Sequence, residues 1–485
     1  MITLSIIDKP ISIFARDREW ADLVRFARSS TARLGVVYGR RRLGKTHLVE
    51  HLATATGGLY FCAAQQSAAL NLADLGDAVC RWLRAETPVR YTSWDEALTH
   101  LLHLRPKDGA SVIVFDEVGY LVEQLPSFPS LLQRALDQRP RPCRPILLSG
   151  STLGVMQSLT ASGKPLRGRA NLELVVHPFD FRAMAGFWQV QNARAAIDLW
   201  SVVGGTPGYR ELCDNEAPAS ESDFVAWLTR HVLSPSSALH REGRVIVLED
   251  AQLAEPASHW AVLAAISSGA RTRGAIAEAT GRPTGALGNS LTVLVNTGLV
   301  ARDEDPLHGR RSSYRIAEPM VTTWKEIVEP IERRSVSGDL ARLFNDIEAP
   351  LHARVIGPAF EQLARDWVMN VATPESVGGR PTIVSSVVLG RASKSPTAAQ
   401  IDVVAVEREA SGRSRVLAIG EAKHRNRPME IGRLRRLEDL RQRLDAPAAK
   451  LLLACDAGFD RETERLARSR SDIELIDADR LLTGD

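Results

Sequence analysis

The chain has 485 residues and a net charge of +3, so it is too long for one hydrophobic core, and its length predicts roughly three domains. The small net charge does not by itself argue for a nucleic-acid partner. We see no apolar run long enough to span a bilayer and no secretory signal, so we expect a cytoplasmic protein with no membrane partner. The five cysteines lack metal-ligand spacing, so no zinc site or disulfide framework is predicted.

Three segments follow different patterns. Segment 1–250 alternates short apolar strands with helices, which is typical of an α/β domain built on a parallel sheet. Its strands RLGVVYG, SVIVFDE and PILLSGS are almost continuously apolar, as expected for strands buried on both faces. Segment 251–330 shows helical periodicity and a short β-like tail, and segment 331–485 mixes strands and helices again. We therefore predict three domains with these bounds.

The first segment contains a P-loop. Residues 39–46 read GRRRLGKT, which fits GxxxxGK[ST] between a predicted strand and the helix THLVEHLAT. The glycines let the backbone wrap around phosphate oxygens, Lys45 is expected to reach the β- and γ-phosphates, and Thr46 to ligate Mg²⁺. The predicted ATP contacts are Gly39, Arg40, Arg41, Arg42, Leu43, Gly44, Lys45, Thr46 and His47.

The strand SVIVFDE supports this prediction because it delivers Asp116 and Glu117 at its carboxyl end, where ligands bind in open α/β sheets. Asp116 is expected to hold Mg²⁺ through water, and Glu117 to orient and activate the attacking water. The next strand ends in Ser149 and Ser151. One of them is expected to hydrogen-bond the water or the γ-phosphate, although a strand-end cap is an equal alternative.

Together these blocks resemble the archaeal-type ATPases of the AAA+/STAND group. The resemblance rests on GRRRLGKT, FDEVGYL, SGSTLGVM, PLRGRA, HPFDFR and GGTPGYR, in that order over about half of the chain. It implies a nucleotide-operated switch rather than a metabolic kinase. The early FARDREW is similar to the family's opening motif but departs from it at Ala15 and Asp17.

The resemblance also implies roles for single residues. Arg167 or Arg169, and of these Arg169 first, is similar to the family's arginine finger, which reaches the γ-phosphate of a neighbouring subunit and so implies a homo-oligomer. Pro207 is similar to the proline that packs on adenine in STAND proteins. The alternative for the two arginines is a pair of solvated loop side chains.

The middle segment reads as three helices followed by a β-wing and is similar to winged-helix domains. In the DNA-binding version the last helix enters the major groove and the wing touches the backbone. Here that helix is poorly charged, while Arg282 precedes it and the wing offers Arg310, Arg311 and Arg315 for phosphates. The alternative is a winged helix that serves the ATPase as a lid or packing module.

The last segment carries a constellation of carboxylates. Asp402 lies in the strand QIDVVAV, and Glu421 and Lys423 project from one face of the strand RVLAIGEAK. If these strands pair, Asp402 and Glu421 can hold a second divalent metal, with Glu361 completing the set and Lys423 near the attacked phosphate. This resembles the PD-(D/E)xK, or restriction-endonuclease-like, α/β fold.

A basic stretch follows this constellation and could track a phosphate backbone. Its commoner explanation is a charged, solvated helix face. Its arginines are Arg425, Arg427, Arg433, Arg435, Arg436, Arg441 and Arg443.

The preferred hypothesis is an ATP- and Mg²⁺-dependent ATPase switch whose C-terminal module binds or cuts DNA or RNA. One alternative is a non-catalytic, ATP-dependent DNA-binding regulator or scaffold, in which Lys423 forms only a structural ion pair. A more distant alternative is a small-molecule P-loop kinase, which is disfavoured because Glu117 suits water activation.

Overall fold

The computed structural model describes residues 7–29, 31, 33–104, 111–139, 144–248, 256–309, 311–334, 340–390, 398–408 and 414–484. The described chain forms two compact units, and the division falls between Pro178 and Phe179. None of the helices in these ranges combines the length and the apolar character that crossing a membrane requires. The wing residue Arg310 and the predicted boundary at 250/251 lie outside the described residues.

The first unit is a parallel sheet covered by helices. Its strands are β1 (Leu34–Tyr38), β2 (Leu59–Cys62), β3 (Ile113–Asp116), β4 (Ile146–Gly150) and β5 (Ala170–Val175). Its helices are α1 (Asp17–Arg28), α2 (Lys45–Ala55), α3 (Ala68–Leu83), α4 (Trp94–His103), α5 (Val118–Gln124), α6 (Phe128–Gln138) and α7 (Leu153–Thr160). The strand order is β2-β3-β4-β1-β5, and every pairing is parallel.

Apolar packing covers both faces of this sheet. Leu34 and Val36 of β1 join one hydrophobic cluster, whereas the neighbouring Val37 joins another. Since successive side chains of a strand alternate, these two clusters lie on opposite faces. This double burial explains why β1, β3 and β4 are almost continuously apolar, and the prediction of a parallel-sheet P-loop fold is confirmed.

Strand order decides which loops meet. Because β4 lies between β1 and β3, the residues that follow these three strands share one edge of the sheet. Val37 of β1 is opposite Ser149 of β4, and Phe115 of β3 is opposite Leu148. The end of β4 is therefore placed between the P-loop and the Asp116–Glu117 pair.

The second unit begins with a helical segment, continues through a winged helix and ends in a mixed sheet. The helices of the first segment are α8 (Phe181–Trp188), α9 (Ala193–Val203), α10 (Glu221–Leu228) and α11 (Ala238–Leu248). Short 3-10 turns span Pro207–Tyr209 and Glu211–Cys213, and a π-helical turn spans Thr229–Leu233.

The winged helix has the predicted elements. They are α12 (Pro256–Ser267), α13 (Arg273–Thr280), α14 (Leu287–Asn296) and an antiparallel hairpin of β6 (Val300–Glu304) and β7 (Ser312–Ile316). The apolar residues that recur at helical spacing, among them Leu291 and Leu294, pack with Leu263 and Ile276 in one buried cluster. The prediction of a winged-helix region is therefore confirmed.

The C-terminal segment forms a five-stranded mixed sheet. Its strands are β8 (Ile383–Leu389), β9 (Ala399–Arg408), β10 (Ser414–Lys423), β11 (Lys450–Cys455) and β12 (Ile473–Ile476), in the order β12-β11-β10-β9-β8. The pairings β8–β9 and β9–β10 are antiparallel, whereas β10–β11 and β11–β12 are parallel. Its helices are α15 (Pro319–Thr323), α16 (Glu329–Arg334), α17 (Leu340–Pro350), α18 (Gly357–Asn370), α19 (Pro374–Val377), α20 (Gly432–Arg443), α21 (Arg461–Ser469) and α22 (Ala478–Thr483), with π-helical turns at Trp324–Val328 and Leu351–Ile356.

Packing joins α8–α11 to the C-terminal sheet, although the sequence assigned residues 179–248 to the first domain. Trp188 and Leu199 belong to the same hydrophobic cluster as Phe360 and Trp367 of α18. Helical periodicity shows that a face is buried but does not say against which partner, so the compact division differs from the predicted one. The three domain ranges stay a prediction.

Candidate functional site

The P-loop folds its lysine inward. Gly44 adopts a left-handed φ of 82° and caps α2, which begins at Lys45. The Lys45 side chain is 5% exposed, and its Nζ donates to the Arg40 carbonyl oxygen at 2.7 Å. Gly39 has to be glycine, because a Cβ there would lie 2.4 Å from the Val176 carbonyl oxygen. The loop therefore surrounds an ammonium group at a helix N-terminus, which is the arrangement that binds phosphate.

Burial shapes the charge of this lysine. It lowers the pKa of Lys45 to about 8, although the carboxylates of Glu117 and Asp116 act in the opposite direction. A bound phosphate chain adds negative charge beside the ammonium group, so it favours the protonated form.

The carboxylates predicted at the end of β3 are held in distinct ways. Asp116 is fully buried, and its Oδ1 accepts the Glu117 amide at 2.9 Å while its Oδ2 accepts the Tyr60 hydroxyl at 3.0 Å. Burial, together with Asp116, raises the pKa of Tyr60, so this hydroxyl remains a donor. Glu117 has a left-handed φ of 48°, which is strained for a residue with a side chain. The two neighbouring carboxylates are therefore held by different contacts, with Asp116 fixed by hydrogen bonds and Glu117 placed by its left-handed backbone.

The two serines after β4 have different surroundings. Ser151 Oγ donates to Glu117, at 3.0 Å from Oε2 and 3.3 Å from Oε1. This serine therefore orients the predicted base directly, a role that the sequence did not indicate. Ser149 Oγ is buried and has no hydrogen-bond partner within the described part of the chain. A direct role of either serine toward water or phosphate stays a prediction.

The other predicted P-loop residues surround this centre. Thr46 and His47 are exposed in the first turn of α2, and Leu43 is buried below the loop. The sequence did not identify Arg16, whose guanidinium donates to the Leu43 carbonyl oxygen at 3.3 Å and to Glu19 at 3.0 Å. The signal for it was the FARDREW block, but spacing alone cannot place a contact 27 residues away.

The two candidates for the arginine finger, Arg167 and Arg169, have different surroundings. Arg169 donates through both Nε and Nη2 to Asp137, at 2.9 and 2.7 Å, and this carboxylate raises the pKa of Arg169. Arg167 is exposed. The finger role of Arg169 stays a prediction, and it would require the Asp137 pair to open.

Pro207 lies in the second unit, at the start of a short 3-10 turn, and is half-buried. The glycines before it pack closely: a Cβ on Gly205 would lie 1.9 Å from the Phe179 carbonyl oxygen. The contact between Pro207 and adenine stays a prediction.

In the C-terminal sheet, the pairing of β9 with β10 brings the predicted carboxylates and Lys423 close together. Val403 of β9 is opposite Gly420 of β10, which brings Asp402 beside Glu421. Lys423 Nζ lies 2.6 Å from Asp402, 3.2 Å from Glu361 and 4.0 Å from Glu421. Four predicted residues from three elements therefore share one site.

Burial and mutual repulsion act on these charges. Burial, followed by Asp402, raises the pKa of Glu361. Burial by itself would lower the pKa of Lys423, but Asp402 and Glu361 outweigh it, and the pKa of Lys423 is raised. The site thus holds a firmly protonated lysine among carboxylates.

In this structure, positively charged side chains pair with the carboxylates that were predicted to hold a metal. Lys423 bridges Asp402 and Glu361, and Arg433 Nη1 donates to Glu421 at 2.8 Å. Within the described residues, no three His, Cys, Asp or Glu side chains are grouped so as to hold a metal ion. Ion pairs neutralise the carboxylates of Glu361, Asp402 and Glu421 in this arrangement, and their role as metal ligands stays a prediction.

The basic stretch after the site is largely paired within the chain. Arg433 and Arg436 of α20 approach Glu421, and Arg441 donates to Asp472 at 2.7 Å. In the wing, Arg315 pairs with Asp303 at 3.0 Å. These pairs engage part of the arginine charge that a phosphate backbone would otherwise meet.

Two regions of the chain match models of known families. Residues 13–212 match the model of an ATPase domain found predominantly in Archaea, and residues 256–311 match that of the MarR family. An uncharacterized protein of Methanocaldococcus jannaschii is 24% identical over 348 residues, which cover 69% of this chain and 72% of that protein.

One solved structure has a similar fold. A Walker-type ATPase of Pyrococcus abyssi is similar with a TM-score of 0.51 and 20% identity, over 65% of this chain and 96% of that one. A more distant likeness is to the Aeropyrum pernix ORC2 protein, with a TM-score of 0.43 and 15% identity over 72% and 97%. The P-loop region is an ATPase domain, and the chain is an ATPase.

The buried ammonium group leads to a first prediction. Lys45→Ala should weaken ATP binding by roughly 100-fold or more, because a charge-assisted contact to phosphate is lost. Isothermal titration calorimetry measures this loss. Lys164→Ala removes an exposed lysine of the same unit and should leave the affinity unchanged; equal affinities in the two variants would contradict the site.

The pKa of Lys45 leads to a second prediction. With a pKa of about 8, Lys45 is mostly neutral at pH 8.5, so ATP binding there should take up about 0.8 proton, and only about 0.1 proton from this group at pH 7. Calorimetry in buffers of different ionisation enthalpy measures the uptake. Lys45→Arg should abolish it, since arginine stays charged; uptake that persists in this variant would assign the proton to another group.

Proposed function

We propose that the chain is an ATP-operated switch whose second unit binds DNA and cleaves it with the help of a divalent metal. The observation that carries the first half is the convergence of Lys45, Asp116 and Glu117 at one sheet edge, with Ser151 holding Glu117. The observation that carries the second half is the meeting of Asp402, Glu421 and Lys423 on adjacent strands.

The residues of the nucleotide site have separable tasks. Lys45 and the loop amides bind the phosphates, and Glu117, steadied by Ser151, takes the proton of the attacking water. The buried carboxylate of Asp116 and the exposed hydroxyl of Thr46 are hard oxygen donors that fit Mg²⁺. Mg²⁺, when bound, neutralises charge on the phosphoryl oxygens.

The C-terminal site offers a comparable donor set. Asp402, Glu421 and Glu361 supply carboxylate oxygens, and these would hold a divalent ion in place of the ammonium and guanidinium groups that now neutralise them. Such an ion supplies Lewis-acid activation of phosphate and water. Lys423 remains available to stabilise negative charge on the attacked phosphate, since its pKa is raised.

The winged helix supports DNA as the partner. Residues 256–311 match a winged-helix family, and the described wing carries Arg311 just before β7 and Arg315 within β7. Arg315 pairs with Asp303, and this pair has to open before Arg315 can bind a phosphate. A homo-oligomer, in which Arg169 acts on a neighbouring subunit, and residence in the cytoplasm stay predictions.

A second candidate is a DNA-binding regulator with a silent nuclease fold. The observation in its favour is that cations satisfy the carboxylates in the C-terminal site, so a structural ion-pair network explains their burial equally well.

The hydrolysis step can be separated from binding. Glu117→Gln should preserve ATP affinity within about threefold and lower kcat by roughly 100-fold or more, because an amide cannot accept the proton of water. Phosphate release and calorimetry measure the two quantities. Ser151→Ala should lie between this variant and wild type; normal turnover by Glu117→Gln would assign the base elsewhere.

The C-terminal chemistry is tested with DNA and Mg²⁺ or Mn²⁺, with RNA as a second substrate. Asp402→Ala and Lys423→Ala should each lower cleavage by roughly 100-fold or more while ATP affinity is unchanged. Arg465→Ala, at an exposed position of α21 outside the basic stretch, serves as the matched control. Cleavage that is equal in all variants removes the nuclease half, and metal-independent, salt-sensitive binding without cleavage supports the silent regulator.

A further inference from the structure

Three positively charged side chains surround one oxygen of Glu421. Arg433 Nη1 donates to Glu421 Oε1 at 2.8 Å, Arg436 Nη1 lies 3.5 Å from the same oxygen, and Lys423 Nζ lies 4.0 Å from it. The Glu421 side chain is only 2% exposed, and a buried carboxylate without a cation is costly. Side chains from both β10 and α20 therefore share the task of neutralising this group.

The sheet fixes the backbone that carries Glu421. β10 is an interior strand between β9 and β11, and Glu421 is opposite Leu453 of β11. A Cβ on Gly420 would lie 3.0 Å from Leu452, so these two strands are closely packed. An exchange of partners at Glu421 therefore has to come from movement of the cations rather than of the strand.

The two arginines of α20 are placed so that their side chains can move. The side chain of Arg433 is 33% exposed and that of Arg436 is 42% exposed, and the two lie one helical turn apart. The helix itself is anchored through Leu434 and Leu437, which are buried in a cluster with the C-terminal sheet. Because of this anchor, the guanidinium groups can rotate away from Glu421 while α20 stays in place.

Charge balance relates the two arginines to a divalent ion. The three carboxylates of the site carry three negative charges when ionised, and Lys423, Arg433 and Arg436 carry three positive charges. Lys423 together with one divalent ion carries the same positive charge. A divalent ion that entered while both arginines stayed would leave two uncompensated positive charges in a largely buried site. Metal binding therefore favours departure of the two arginines.

A guanidinium group that leaves a carboxylate is suited to a phosphate diester. Its planar set of N–H donors binds phosphate oxygens in pairs, and this geometry is the one that also binds carboxylates. Arg433 Nη1 and Lys423 Nζ approach the same oxygen of Glu421, at 2.8 and 4.0 Å. A phosphate that is bound by the released Arg433 would therefore stay beside Lys423.

We propose that Arg433 and Arg436 are phosphate-binding residues of the C-terminal site, and that without DNA they occupy the oxygen of Glu421 that the metal needs. A DNA phosphate draws the guanidinium groups away and opens this oxygen to a divalent ion. Metal and DNA therefore bind cooperatively, because each favours the same arrangement of the arginines. This inference rests on the metal- and DNA-binding half of the proposed function and does not involve the nucleotide site.

Mn²⁺ binding to the full chain without nucleotide tests this exchange, and electron paramagnetic resonance measures the free ion. A short DNA duplex with phosphorothioate linkages, which slow cleavage, should tighten Mn²⁺ binding to wild type by at least about fivefold once Mn²⁺ held by the DNA alone is subtracted. Arg433→Met combined with Arg436→Met keeps the side-chain stems without their charge. This double variant should bind Mn²⁺ at least about tenfold more tightly than wild type without DNA, and DNA should add less than about twofold.

Matched variants separate charge from packing. Arg433→Lys keeps the charge and should retain most of the wild-type response, and Arg465→Met, at an exposed position of α21, should behave as wild type. Thermal melting checks the fold: the double variant leaves Glu421 short of cations, so it should melt below wild type and gain more stability from Mn²⁺. If the double variant does not fold, Arg436→Met alone, which removes the longer contact of 3.5 Å, should tighten Mn²⁺ binding in the same direction.

The two ways in which the experiment can fail are distinguishable. Equal Mn²⁺ affinity in wild type and in the arginine variants, or no effect of DNA on wild type, overturns the exchange and leaves the proposed metal site standing. If Asp402→Ala removes none of the bound Mn²⁺, the proposed metal site itself is wrong, and the exchange falls with it.

Discussion

The burial of an ammonium group in a turn of backbone is the interaction on which the first unit depends. Lys45 is almost fully buried, and burial lowers its pKa although the carboxylates of Glu117 and Asp116 act in the opposite direction. Phosphate oxygens would add negative charge beside the ammonium group. The left-handed Gly44 and the close approach of Gly39 to Val176 let the loop curl around this group. A bound triphosphate would therefore offset part of the cost of burying the lysine.

In the second unit the buried charges are negative rather than positive. There, three carboxylates from α18 and the interior strands β9 and β10 converge, and cations from β10 and α20 neutralise them. Removing either sign of charge alone would leave an uncompensated buried ion. The same pairs engage the carboxylate oxygens that the proposed metal would need, so the proposed metal binding requires an exchange of partners.

The packing of α8–α11 with the C-terminal sheet has a functional consequence. A segment that is part of an ATPase domain by sequence shares a hydrophobic cluster and a buried ion network with the strands that carry Glu421 and Lys423. A domain boundary drawn along the sequence therefore does not coincide with the boundary of compact packing. Arg194 of α9 pairs with Asp456 after β11 at 3.0 Å, and Asp198 of α9 lies 3.4 Å from His424 after β10.

Local sequence patterns predicted the P-loop, the strand that delivers Asp116 and Glu117 and the winged helix, and they made the pairing of β9 with β10 a stated condition for the carboxylate site. These predictions follow from local periodicity or from glycine and lysine at fixed spacing, which are properties of neighbouring residues. Long-range packing instead brings Ser151 to Glu117, Arg16 to the P-loop, Arg433 to Glu421, and Arg194 and Asp198 to Asp456 and His424. These contacts join residues distant along the chain, and their partners are chosen by strand order and helix packing, which no local pattern encodes.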